Sequence, residues 1–311
     1  VTIRLGYQIP NYTYPGPVET LFDTVLAQAK EAEASGFDTV LVMDHFYQLP
    51  GIGAPENAML EAYTTLGALS GGTSTIQLST LVTGNTYRNP ALLAKTVTTL
   101  DVVSHGRAIL GIGAGWFERE HHDMGFEFGT FGQRFERLDE ALQIITPMLK
   151  GEPGVLDGKW YTARGAMNNP RVRPNIPIML GGSGEQKTFR LAARFADHMN
   201  IICDTDDLSR KVQVLRQRCE EIGRDPATLA TSYLVMGLVG EDEQEVKELG
   251  SQIPEDRRNR TILGTADQVA EQIQERVLNA GIDGITINLP RNGHRPGFVS
   301  HVGAALKPLV S

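Results

Sequence analysis

Along most of this chain the hydrophobic pattern switches regularly between two periods. Short apolar runs rich in β-branched residues, as strands buried on both faces require, alternate with stretches that place an apolar residue every three or four positions, as amphipathic helices require. Residues 3–8 read as a first strand, and Val18, Leu21, Val25, Ala29 and Ala32 mark one face of a helix with Gly36 past its end. Residues 39–43 form an apolar, β-branched strand that stops abruptly at Asp44-His45. The unit then repeats. Residues 76–82 lead into Thr83-Gly84-Asn85, and Asn89-Pro90 predicts the cap of a helix running to about Ser104. Residues 108–113 lead into Ala114-Gly115-Trp116, ahead of a helix with Phe135, Leu138, Leu142, Ile145 and Leu149 on one face.

From about 151 to 175 the rhythm breaks into a Gly-, Pro-, Asn- and Arg-rich stretch containing Trp160-Tyr161, which reads as a surface insertion. It resumes at 176–180, where Gly181-Gly182-Ser183-Gly184 and a helix to about Ala196 follow. A sixth run at 198–203 precedes a helix marked by Leu208, Val212, Leu215, Cys219 and Ile222. Runs at 234–239 and 284–288 are separated by helical segments over 241–250 and about 265–280. Eight strands alternating with helices predict an α/β fold, a (β/α)8 TIM barrel forming one domain over 1–311 with the 151–175 insertion. A doubly wound open sheet would place a Gly-rich phosphate loop after the first strand, where this chain has Asn11-Tyr12-Thr13-Tyr14-Pro15. The barrel is the better reading.

Composition narrows the partners. The 311 residues are 41% hydrophobic, long enough for a large core without disulfide or metal staples. Lys+Arg at 29 against Asp+Glu at 37 gives net −8 with no Lys/Arg run longer than two, which argues against nucleic acid or an anionic membrane as partner. Cys203 and Cys219 fall in apparent core segments rather than in a disulfide framework. Residues 1–4 carry no signal-like apolar region, and no apolar run approaches the roughly 18 residues of a membrane span. The expected setting is the cytoplasm, and the expected partner a small-molecule substrate.

In a barrel, chemistry gathers where strands hand over to helices. Those positions hold Tyr7-Gln8, Asp44-His45, Thr83-Gly84-Asn85, residues 113–116, residues 181–184, Asp204 and Asn288. Polar groups interleaved with glycines suit a flat, polar-edged molecule bearing a phosphate. Gly181-Gly182-Ser183-Gly184 ahead of a helix can hold that phosphate through backbone N–H groups and the Ser183 hydroxyl, or can be a plain turn. Gly111-Ile112-Gly113-Ala114-Gly115 has Trp116 where a dinucleotide fingerprint needs its third glycine, and reads better as close backbone approach to a ring. His45 is placed either as a general acid or base near neutral pH or as a loop hydrogen-bonding group. Glu118, Glu120, His121, His122 and Asp123 invite a metal reading, but the spacing is wrong for a zinc helix, and a solvated helix start without metal is expected. Arg257, Arg258 and Arg260 read as a solvated loop or as partners for the acidic tail of a ligand.

Four segments together resemble the bacterial luciferase-like flavin and deazaflavin oxidoreductases. They are Val42-Met43-Asp44-His45-Phe46, Thr83-Gly84-Asn85-Thr86-Tyr87-Arg88-Asn89-Pro90, Gly106-Arg107 through Gly115-Trp116, and Gly181-Gly182-Ser183-Gly184. Tyr87-Arg88-Asn89-Pro90 followed by Asp101-Val102-Val103-Ser104-His105-Gly106-Arg107 looks most like the actinobacterial branch that uses coenzyme F420. The resemblance implies a luciferase-like barrel with F420, or alternatively FMN, at its C-terminal face. It implies Asp44 and His45 beside the ring, with His45 handling a proton and Asp44 orienting it. It further implies Thr83 near the ring's polar edge, and Asn85 and Arg88 among the cofactor contacts. Gly113, Ala114 and Gly115 would lie against the ring or its side chain, and residues 181–184 at the phosphate. A non-prolyl cis peptide is expected near Thr80-Leu81, and a homodimer is the expected assembly. Sugar-phosphate dehydrogenases of the family carry an acidic catalytic residue where this chain has Trp116, which implies an apolar or aromatic substrate stacked there instead. The reaction implied is hydride transfer between F420 and that substrate. An FMN-dependent monooxygenase and a flavin-binding protein without turnover are the alternatives.

Overall fold

Eight of the apolar runs pair side by side, each parallel to its neighbours, until the last meets the first. The computed structural model describes residues 3–310; Val1 and Thr2, half of the 1–4 stretch expected to lack a signal-like apolar region, lie outside the described residues, as does Ser311. In chain order the strands are β1 (Leu5–Ile9), β2 (Thr39–Val42), β3 (Gln77–Thr80), β4 (Thr83–Gly84), β5 (Ala108–Gly113), β6 (Gly154–Asp157), β7 (Thr162–Ala166), β8 (Ile178–Gly182), β9 (His198–Ile201), β10 (Ala230–Val239), β11 (Thr261–Gly264) and β12 (Gly284–Asn288). Pairing runs β12-β1-β2-β3-β5-β8-β9-β10 and returns from β10 to β12, which closes an eight-stranded parallel barrel. Helices surround it, among them Leu21–Ser35, Pro90–Val103, Phe131–Leu149 and Thr205–Glu220. The Asn89 side chain caps the second of these by accepting from the Ala91 and Leu92 amides, as Asn-Pro predicts. Among the described residues no helix is long and apolar enough to cross a membrane.

The double burial of the strands explains their composition. Outward residues such as Leu5, Tyr7, Val40 and Val42 join the helices in the main core, whereas Ile3, Leu41, Leu81, Ile109 and Met179 form a second apolar cluster in the lumen. The lumen also holds a polar group. His198 Nε2 lies 2.7 Å and Asn200 Nδ2 2.8 Å from Ser232 Oγ, and burial pushes the His198 pKa down to about 3, so this imidazole is neutral. Cys203 and Cys219 are both free and buried.

The structure corrects several boundaries. The seventh barrel strand begins at Ala230 rather than 234, because Thr231 and Ser232 are buried polar residues that break an apolar pattern. Beyond it, β11 was not foreseen; it is only four residues long and pairs with Met236–Val239 outside the ring. The fifth strand runs over Ile178–Gly182, so two of the loop glycines belong to it. The 151–175 insertion carries the antiparallel β6–β7 hairpin. The non-prolyl cis peptide lies at Leu81–Val82, one residue beyond the expected bond.

Gly111 shows why glycine recurs on β5. A Cβ there would sit 1.9 Å from the Thr80 carbonyl oxygen of the neighbouring strand. Gly111→Ala is therefore expected to lower stability by about 1–3 kcal/mol, since backbone must shift to admit it; thermal unfolding of the variant checks this. The Asp101–Arg107 segment serves the opposite, N-terminal end of β5. Arg107 donates to the carbonyls of Ser70, Thr73, Ile76 and Ser104, and Asp101 accepts from the Ala108 amide and pairs with Arg173 at 2.6 Å. That motif is a clamp, remote from the mouth.

Candidate active site

β2 ends by delivering two consecutive polar residues to the C-terminal mouth, and they find different partners. Asp44 is buried and engaged by both terminal nitrogens of Arg88, with Nη2 at 2.9 Å. Arg88 Nη2 also donates to Glu61 at 2.7 Å, and its guanidinium lies 4.9 Å from the centre of the Tyr63 ring. Burial pushes the Asp44 pKa up and Arg88 opposes that rise. Arg88→Lys should cost about 1–2 kcal/mol, because an ammonium cannot reproduce the two-pronged contact; equilibrium denaturation with a folded-state spectrum checks it.

A hydroxyl chain lies below this pair. Thr80 Oγ1 donates to the Gly111 carbonyl at 2.9 Å, so it must accept from Thr83 Oγ1, also at 2.9 Å. Thr83 Oγ1 in turn accepts from the Tyr63 hydroxyl at 2.6 Å. Every hydrogen is committed. Next to it, Asn85 Nδ2 reaches Tyr161 of the insertion at 3.4 Å, while Asn85 Oδ1 is buried without a partner among the described residues.

His45 is held by a residue that sequence reading left on the surface. Its Nδ1 lies 2.9 Å from Glu120 Oε2, and the Glu120 carboxylate is fully buried. The same carboxylate accepts from the Phe46 amide at 2.6 Å, the Tyr47 amide at 2.9 Å and the Tyr87 hydroxyl at 2.7 Å. Burial alone would raise the Glu120 pKa, but the hydrogen bonds from His45, Tyr87 and the Tyr47 amide bring it below the usual glutamate value. An ionised carboxylate can only accept, so His45 Nδ1 carries hydrogen and Nε2 is the nitrogen free to exchange a proton. The carboxylate that bonds the His45 ring is that of Glu120, while that of Asp44 accepts from Arg88. Beside His45 stands Trp116, 60% exposed, with ring centres 5.6 Å apart; Phe117 stacks on Trp116 at 5.3 Å and its ring centre lies 5.9 Å from that of His45.

The Glu118–Met124 helix is thus no solvated start. Glu120 and His121 are buried, whereas His122 points to solvent. His121 donates from Nδ1 to the Phe117 carbonyl at 2.8 Å and its Nε2 accepts from Thr86 Oγ1 at 2.6 Å. It packs against Tyr87 and Phe128. The aromatic residues Phe117, Phe126 and Phe128 around this charged stretch were the available signal of a buried face.

The glycines have protein neighbours on the side where a Cβ would point. Those of Gly113 and Gly181 would meet Val82, at 3.0 and 2.8 Å, and that of Gly115 would meet Thr86 Oγ1 at 2.5 Å. Ala114 is partly buried against the main core. Gly182 adopts φ +140°, a conformation that favours glycine. A turn over 185–187 separates Gly184 from the Thr188–Phe195 helix, so the loop is not itself the helix N-terminus. The cation nearest this loop is one that sequence reading missed: Lys211 Nζ donates to the Ser183 carbonyl at 3.0 Å and to Glu185 at 2.7 Å.

The family model for luciferase-like monooxygenases matches residues 3–253. The chain belongs to the luciferase-like monooxygenase family. It is 34% identical over 200 residues to an F420-dependent glucose-6-phosphate dehydrogenase of Microbacterium testaceum, covering 63% of this chain and 56% of that one. An F420-dependent hydroxymycolic acid dehydrogenase of Mycobacterium tuberculosis is 29% identical over 227 residues, 71% of this chain and 60% of its own length. The chain thus spans little more than half the length of these two luciferase-like relatives. Among solved structures, an F420-dependent secondary alcohol dehydrogenase in complex with an F420-acetone adduct superposes over 100% of both chains with a TM-score of 0.85 at 22% identity. At that identity the likeness is one of fold, and it supports the closed luciferase-like barrel described above.

Proposed function

We propose that this family member is an F420-dependent oxidoreductase that passes a hydride between the deazaflavin and a small apolar or aromatic substrate. The observation that carries the reading is His45, fixed by buried Glu120 with its Nε2 free, beside exposed Trp116 at the barrel mouth. The F420-dependent relatives favour this cofactor over FMN.

The residues at the mouth fit such a group. Asn85 Oδ1 is a buried acceptor that lacks a donor among the described residues, as a ring N–H would satisfy. The 181–184 loop, the Ser183 hydroxyl and Lys211 supply donors and positive charge for a phosphate. When bound, a deazaflavin supplies a ring carbon that gives or accepts hydride. The protein's share is to hold the substrate within reach and to manage the proton, which falls to His45 Nε2. Trp116 offers a flat apolar surface against which a substrate can stack.

The test is anaerobic mixing of the protein and reduced F420 with a panel of ketones, enones and nitroaromatics, followed by deazaflavin absorbance. Reoxidation by a member of the panel without oxygen is expected. Tight binding with no hydride exchange would favour a cofactor carrier, and oxygen consumption with reduced FMN would favour a monooxygenase. The reading also places the protein in the cytoplasm, in keeping with its net charge of −8 and free cysteines; secretion of the expressed gene product would contradict it. A homodimer is favoured by Leu92 and Val103, large apolar side chains exposed on the Pro90–Val103 helix; a monomer in analytical ultracentrifugation would contradict it.

A further inference from the structure

Trp116 is carried by backbone that belongs to no regular element, since residues 114–117 lie between β5 and the Glu118–Met124 helix. No helix or sheet ladder fixes such a segment, so its position depends on what bonds its own peptide groups. Two side chains take hold of it, one on each side of Trp116. Arg134, on the Phe131–Leu149 helix, donates from Nε to the Gly115 carbonyl at 3.1 Å and from Nη1 to the Gly129 carbonyl at 2.9 Å. His121 donates from Nδ1 to the Phe117 carbonyl at 2.8 Å.

The two grips share their supports. Phe128 is common to both, its ring centre 3.8 Å from the Arg134 guanidinium and 4.7 Å from the His121 ring centre. The Thr86 hydroxyl that His121 Nε2 accepts from is also the atom that a Cβ on Gly115 would strike. Gly115 itself has φ +82°, where glycine is favoured. A guanidinium is planar and its donors are fixed relative to one another, so a two-carbonyl contact sets angle as well as distance. The groups these two side chains bond, in Gly115, Phe117, Gly129 and Thr86, all lie outside the barrel strands. Their hydrogen bonds therefore shape the mouth rather than the barrel. A platform ordered in advance spares a ligand the cost of ordering it. A planar ring can stack on such a surface over its whole face, whereas a puckered saturated ring touches it over a part.

We infer that Arg134 and His121 are positioning residues that hold the Trp116 indole rigid, and that the rigid indole makes the mouth select planar, conjugated substrates over saturated ones of the same size. As a statement about substrate it rests on the oxidoreductase reading; as a statement about the indole and what binds to it, it does not.

The test uses the full chain carrying Trp160→Phe, which leaves Trp116 as the one tryptophan of the two. Time-resolved fluorescence anisotropy and acrylamide quenching report how firmly the indole is held. Calorimetry compares acetophenone with cyclohexyl methyl ketone, its saturated counterpart. In this parent, a slow anisotropy decay and a preference of about three- to tenfold for acetophenone are expected. Arg134→Met and His121→Leu should each add a nanosecond component to the decay, raise quenching and bring the two ketones close to equal affinity. His121→Asn keeps a donor near the Nδ1 position and should restore much of both readouts. Arg107→Gln loosens the clamp at the opposite end of β5, so it controls for lost stability and should leave both readouts as in the parent. Absence of acetophenone binding, equal binding of the two ketones by the parent, an indole as firmly held in Arg134→Met and His121→Leu as in the parent, or the same loosening in Arg107→Gln overturns the inference. Reduced F420 mixed with the same preparation and the ketone, enone and nitroaromatic panel reports separately on the oxidoreductase reading.

Discussion

His45→Asn is expected to lower the rate of hydride transfer by about 10²–10⁴-fold while leaving F420 binding in place. Asparagine retains a side-chain N–H that can reach Glu120, so the 2.9 Å link and the loop it anchors can persist. What it lacks is the second ring nitrogen, through which a proton can be given or taken. Without Nε2, the proton that accompanies hydride must come from water, and the loss should fall on turnover rather than on affinity. Single-turnover absorbance together with an F420 titration separates the two. A variant that binds F420 normally and keeps full turnover would remove His45 from the chemistry.

Glu120→Leu should destabilise the fold by about 3–5 kcal/mol, since each buried donor left without an acceptor costs about 1–3 kcal/mol. It strands the His45 Nδ1–H, the Tyr87 hydroxyl and the Phe46 and Tyr47 amides together. The carboxylate also predicts a pH dependence. Its folded pKa lies below the ordinary value of about 4.3, so near and below that pH the unfolded chain binds more protons. Its stabilisation is therefore complete above that value and is lost as pH falls through the lower folded pKa. Glu120→Gln removes this titration, so its unfolding free energy should change less than the wild type's between neutral and acidic pH. Denaturant unfolding at several pH values checks both expectations.

The barrel was legible because strands buried on two faces leave unbroken apolar runs, and the abrupt polar step at Asp44-His45 marked the mouth. The first four residues of β10 were not legible, since Ser232 faces the polar group of the lumen rather than an apolar one. Four-residue β11, hidden behind the Arg-rich Glu255–Arg260 segment, gave too short a pattern to stand out. Glu120 was the main omission at the site. Charge at 118–123 reads as solvated on a helix, yet the aromatic residues that cover Glu120 and His121 come from three separate segments, at Phe46, Tyr87 and Phe126. The glycines were legible as close approaches, though on β5 the approaching atoms are those of Thr80 and Val82. Lys211 could not be placed from sequence because only the fold brings the Thr205–Glu220 helix beside the 181–184 loop.

Whether this mouth is built for F420 is decided by an equilibrium titration. The cofactor-free protein is titrated with F420 and separately with FMN, following each cofactor's own fluorescence, in the wild type and in Lys211→Ala. Saturable binding of F420 that is tighter than that of FMN, and weaker in Lys211→Ala, is the predicted result. Binding of FMN with no binding of F420 would overturn the deazaflavin assignment.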